Sequence, residues 1–69
     1  MTEMVFQVEE DPDGGLAVRA VGESIFTEAD GVEGVRQAIR EAVICHYPMS
    51  EDRPKVIRLH FVRDEVMTL

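Results

Sequence analysis

The sequence predicts an α+β domain, a four-stranded mixed sheet built β-β-β-α-β in the order 3-2-1-4 with one helix packed on one face. Three observations predict it. Apolar residues alternate in twos through "EMVFQVEE" and "LAVRAV", as on half-buried strands. They recur at steps of three and four between Val32 and Val43, as on an amphipathic helix. They alternate again through "KVIRLHFV".

The first strand puts Met4, Phe6 and Val8 on one side and Val5, Gln7 and Glu9 on the other. "DPDGG" follows and reads as a tight hairpin turn. The second strand carries Leu16, Val18 and Ala20 on one face and Ala17, Arg19 and Val21 on the other. Gly22 and Glu23 turn the chain into a short third strand, "SIFT", whose inward face stays open at this length. The helix stripe is Val32, Val35, Ile39, Ala42 and Val43. Asp30 with Glu33 three residues on forms a capping-box pattern. Gly34 inside the helix costs about 1 kcal/mol relative to alanine, so packing has to hold this helix. Pro48 stops it at about Tyr47. "MSEDRP" is loop, and "RDEVMTL" is either a short helical turn or a frayed end.

Three hairpin-linked strands run up, down, up, and the helix returns the chain so that the fourth strand runs up again. Beside the first strand it is parallel, and a right-handed crossover lays the helix over one face. That face takes Phe6, Val8, Leu16, Val18, Ile57, Leu59 and Phe61, leaving Val5, Gln7, Arg19, Arg58 and His60 opposite. These five residues are the candidate interface. The uncovered face is either solvated, with cross-strand charge pairs, or a surface for self-association or a partner.

The chain has 69 residues and one cysteine, Cys45. That predicts a single domain over 1–69 that buries only about 60% of its unfolded surface and has no internal disulfide. A partner chain is then the favoured way to complete the core. A lone thiol and an N-terminus without a signal-peptide pattern predict a cytoplasmic protein. No apolar run approaches the roughly 20 residues of a membrane span.

Net charge is −7. Between Glu9 and Glu33 the acids are Glu9, Glu10, Asp11, Asp13, Glu23, Glu28, Asp30 and Glu33, against the single base Arg19. Such a surface disfavours direct nucleic-acid binding and speeds encounter with a basic protein. It also keeps a small domain soluble.

Adjacent Cys45 and His46 on a helix point about 100° apart, a poor geometry for chelating one ion. His60 belongs to the other face. Cys45 then reads as a small apolar filler and His46 as a helix-end cation. No cofactor and no metal is expected, and no orienting carboxylate or oxyanion motif marks a nucleophile. The acids Glu9, Glu10, Asp11 and Asp13 lack the spacing of a calcium loop. Arg53, Lys55 and Arg58 form a basic cluster, read either as a contact surface or as neutralisation of Glu51 and Asp52.

The run from Asp11 to Val43 resembles the N-terminal domain of HicB-type antitoxins. The likeness rests on the hairpin Asp13-Gly14-Gly15, on Phe26-Thr27-Glu28-Ala29-Asp30 leading into the helix, and on the helix pattern Ala38-Ile39-Arg40-Glu41-Ala42-Val43. It covers about residues 4–47, while "RPKVIRLHFVRDE" looks like that of a short subgroup with the same fold. Gly31 stands where threonine or serine is usual, and Leu16 where tyrosine or phenylalanine is common. The resemblance implies a partial ribonuclease-H-like sheet and a protein that masks a small, basic, RNA-cleaving toxin. The DNA-binding segment of such antitoxins has no counterpart in these residues, so DNA binding is not carried over.

The expectation is a non-enzymatic binding module that occludes a small basic partner, with the acids Glu9, Glu10, Asp11, Asp13, Glu28 and Asp30 steering it in. The alternative is a self-assembling homo-oligomer, a dimer or tetramer, using the face around Val5, Arg19, Arg58 and His60 or a strand edge.

Overall fold

The computed structural model describes residues 2–69. The elements are β1 (Glu3–Glu10), β2 (Leu16–Ala20), β3 (Phe26–Ala29), α1 (Val32–His46), a short 3-10 turn (Ser50–Asp52) and β4 (Val56–Val62). The sheet order is β3-β2-β1-β4. β1 is antiparallel to β2 and parallel to β4, and β2 is antiparallel to β3. This is the mixed α+β arrangement that the hydrophobic periodicity predicts.

The β1–β2 hairpin closes as the turn chemistry requires. The Asp13 N–H donates to Asp11 Oδ1 at 2.9 Å, and the Gly14 N–H donates to the Asp11 carbonyl at 2.9 Å. Gly15 follows at φ +80°, where a Cβ would lie 3.0 Å from the Ala29 carbonyl oxygen. The chain therefore needs glycine there twice over, for the left-handed backbone and for the close approach of β3.

The third strand lies two residues later than "SIFT" suggests. Ser24 stays in the turn, and pairing sets Arg19 opposite Phe26, Val18 opposite Thr27 and Leu16 opposite Ala29. Register decides the inward face: Ile25 is buried, Thr27 and Ala29 are half-buried, and Phe26 points away from the helix at 61% exposed.

The helix packs Val35, Ile39 and Val43 against Met4, Phe6, Val8, Val18, Ala20 and Ile25 to make the core. Full burial of one such side chain stabilises the fold by roughly 1.5–3 kcal/mol. Val32 is 54% exposed and lies outside the core that the rest of the stripe enters. The capping box does not form. The N-cap is Gly31, extended at φ −155°, and it makes no side-chain cap bond. Asp30 sits one position outside the cap, so its carboxylate cannot serve the first-turn amides as an N-cap side chain does. At the other end the Tyr47 N–H donates to the Val43 carbonyl at 2.8 Å.

Arg53 then ties the loop to the helix end. Its Nε donates to the Tyr47 carbonyl at 2.8 Å and its Nη2 to the Pro48 carbonyl at 3.0 Å. Arg53 thus serves backbone carbonyls, in place of the expected pairing with Glu51 and Asp52.

Further corrections concern exposure. The helix backbone approaches β3 and β2 most closely, so β4 lies at the margin of the covered area. Ile57 and Leu59 are half-buried, while Phe61, expected in the core, is 49% exposed. Cys45 is exposed and fills no core space. Residues 63–69 carry no regular secondary structure.

Candidate functional site

Strand pairing places all five candidate residues on the face that the helix leaves open. Gln7 is the hub. It pairs with Arg19 on β2 and with His60 on β4, and Arg19 pairs in turn with Phe26 on β3. A single row, Phe26, Arg19, Gln7 and His60, therefore crosses the whole sheet. The next row toward the start of β1 holds Val5 beside Arg58. Val21 joins them, its N–H donating to the Val5 carbonyl at 2.9 Å. On the far side the row is Glu28, Ala17, Glu9 and Val62. Successive rows fall on one face only in steps of two residues, which is why Met4, Phe6 and Val8 are absent from it.

The charges on this face are knitted by β1. Arg19 Nη2 lies 3.3 Å from Glu9 Oε1, and Arg58 Nε lies 3.2 Å from Glu3 Oε1. Gln7 Nε2 also donates to Glu9 Oε1. Hydrogen bonding to Glu3, reinforced by its charge, raises the Arg58 guanidinium above its ordinary range. Both arginines are thereby satisfied within the face. His60 stands at the end of its row with its ring exposed and no hydrogen bond among the described residues. Sequence reasoning named the two arginines but missed Phe26, because four residues of β3 leave its facing undecided until β2 sets the register. A large exposed aromatic beside a sheet arginine was the missing signal.

At the hairpin end of the face the acids converge. Glu9, Glu10, Asp11 and Asp64 line a cleft of about 350 Å³ with Pro12 and Val62. The first strand and the hairpin supply Glu9, Glu10 and Asp11, and Asp64 arrives from the segment after β4. Glu28 and Asp30 stand toward β3, at the other edge of the sheet.

Among the described residues no charged or polar side chain is buried, and no group of three or more His, Cys, Asp or Glu side chains is placed to hold a metal ion. Cys45 and His46 lie on the last turn of α1 and His60 on the opposite side of the sheet, so the three do not meet. His46 instead packs edge-on against Tyr47, with ring centroids 4.7 Å apart. The face offers apolar contact, hydrogen bonds and a negative rim. Among the described residues no helix is long and apolar enough to cross a membrane.

No family model matches the chain, and no solved structure matches it. Curated relatives do. A UPF0150 protein of Archaeoglobus fulgidus is 45% identical over 53 residues, spanning 77% of this chain and 77% of its own length. A UPF0150 protein of Thermotoga maritima is 39% identical over 62 residues, spanning 90% of this chain and 86% of its own.

Proposed function

The chain belongs to the UPF0150 family, and on that premise we propose that it is a non-catalytic, antitoxin-like binding module for a small basic protein. The observation that carries the reading is the one-sided sheet. One helix covers one face, and the other presents Phe26, Ala17, Val5 and Val62 among polar residues, with an acid-lined cleft at its end. The resemblance of the residues 4–47 to HicB-type antitoxins points to the same class of partner.

The mechanism is occlusion. The acids Glu9, Glu10, Asp11 and Asp64 draw in a cationic partner, a steering effect that weakens as salt rises. A lysine or arginine of the partner enters the cleft, and Phe26 with the aliphatic stem of Arg19 gives the apolar contact that slows release. Coverage of the partner's working surface, with no chemical step on this chain, then suppresses its activity.

The test asks first whether a small basic protein is encoded beside this gene, and then co-expresses the two; an isolated gene counts against the reading. The expected result is a co-purifying complex that relieves growth arrest by the partner. Phe26→Asp or paired Glu10→Lys and Asp11→Lys variants should lose it while keeping the unfolding midpoint. A neighbouring protein that neither arrests growth nor binds, or binding indifferent to those variants, would overturn the reading.

A further inference from the structure

On the helix side of the sheet a second surface is left open, and the function proposed above does not use it. Because α1 sits over β2 and β3, a groove of about 180 Å³ runs between the helix and β4, lined by Arg36, Ile39, Arg40, Ile57 and Leu59. Its floor is apolar and its rim carries two guanidinium groups. Neither Arg36 nor Arg40 has an ion-pair partner among the described residues. In a chain of net charge −7 this is an unusual concentration of free positive charge. β4 is an edge strand, so nothing in the same sheet closes the groove from the side.

The same chain carries a segment of complementary character. After Val62 the residues Arg63–Leu69 form no regular structure, and Val66 and Met67 are 90% and 75% exposed, with Leu69 fully exposed. The molecule measures 52 × 19 × 19 Å, and its radius of gyration of 13.4 Å exceeds the roughly 11 Å expected for a compact chain of this length. In an extended segment Glu65, Met67 and Leu69 share one side. One acid and two large apolar groups thus face the same way. Met67 and Leu69 stand about 6.6 Å apart, the same interval that separates Ile57 from Leu59 on β4. To reach its own groove the segment has to reverse directly after Val62. The one residue of Arg63–Leu69 that favours a turn is Asp64; it lines the acid cleft instead of reversing the chain, and no non-glycine described residue has positive φ.

We infer that the segment Glu65–Leu69 of a second copy of this chain docks in the groove between α1 and β4. Met67 and Leu69 seat on Ile39, Ile57 and Leu59, and Glu65 meets Arg36 and Arg40. The exchange is reciprocal, so two copies related by a twofold axis bury both segments and both grooves at once. Asp64 stays in the acid cleft of its own copy. The dimer leaves the opposite sheet face free, so it stands or falls independently of the toxin-binding reading.

The test is the mass of the full chain by sedimentation equilibrium across a wide concentration range. The native chain should be a dimer. Met67→Asp with Leu69→Asp should weaken dimerisation by about a hundredfold or more, from the loss of two apolar anchors at each of two grooves. These side chains are solvent-exposed in the single chain, so its fold should survive the change. Arg36→Glu with Arg40→Glu should also give monomer, and adding Glu65→Arg should restore part of the dimer. A native chain monomeric at every concentration overturns the inference, including the case in which Met67 is protected from oxidation by its own groove. A dimer indifferent to the Met67 and Leu69 changes overturns it equally.

Discussion

Arg58 Nε donates to Glu3 Oε1 at 3.2 Å, so the last strand is pinned to the first across a sequence separation of 55 residues. The pair is solvent-exposed on both sides, at 66% and 42%. Exposed pairs of this kind add little to stability and are screened by salt. Arg58→Gln should therefore leave the thermal midpoint almost unmoved at moderate salt, with any small loss disappearing at high salt. The raised Arg58 value works in the same direction. A base held above its ordinary range contributes stability below that range and loses it only as pH climbs through the shifted value. That window lies beyond the neutral range, so a stability profile between pH 5 and 9 should be the same for Arg58→Gln as for the native chain.

The core contrasts sharply with the open face. Phe6 has no exposed surface and lies on a central strand, in the same core as Val35 and Ile39. Phe6→Ala should cost about 3–5 kcal/mol by lost transfer energy and the cavity left behind. For a domain with a total stability of about 5–10 kcal/mol this leaves little margin. Ile39→Val, which removes one methylene, should cost about 0.5–1.5 kcal/mol. Urea denaturation monitored by circular dichroism checks both.

The glycines separate cleanly. Gly34 lies in α1, where a Cβ would rest 3.5 Å from the Ala29 Cβ, an ordinary contact. Gly34→Ala should stabilise the chain by about 0.5–1 kcal/mol through the backbone entropy it removes. Gly15→Ala should do the opposite, losing about 1–3 kcal/mol to its φ of +80° and the 3.0 Å approach to the Ala29 carbonyl. Opposite shifts of the urea midpoint are the expected outcome.

Tyr47 is the sole tyrosine, which makes it directly readable by absorbance. Burial against the helix end, and then the charge of Glu23, raise its phenol above 10.0, the ordinary value. The native titration midpoint should lie above that of the unfolded chain, and Glu23→Gln should bring it part of the way down. A raised acid favours the folded state while it stays protonated. That contribution is complete below the unfolded value and declines as pH rises through the folded one.

Much of this was written in the sequence. Period two in "EMVFQVEE" and "KVIRLHFV" assigned each residue of β1 and β4 to a face, because successive side chains of a strand must alternate. Alternation, the sheet order 3-2-1-4 and a right-handed crossover together group Val5, Gln7, Arg19, Arg58 and His60, and strand pairing puts them on one face. The capping box at Asp30 failed for a local reason. The pattern does not say which residue takes the extended cap conformation, and Gly31 took it.

The facing of Phe26 and the exposure of Phe61 failed for a different reason. Both depend on where one element stops covering another. Periodicity and composition alone determined the order of elements, which residues of β1 and β4 share a face, and the acidic front half, since each is a property of neighbours along the chain. Only tertiary structure decided that α1 would settle over β2 and β3 and leave β4 at its margin. Helix placement is set by how side chains of distant elements interlock, and no spacing within a single segment encodes that. The open groove beside Arg36 and Arg40 follows from that choice.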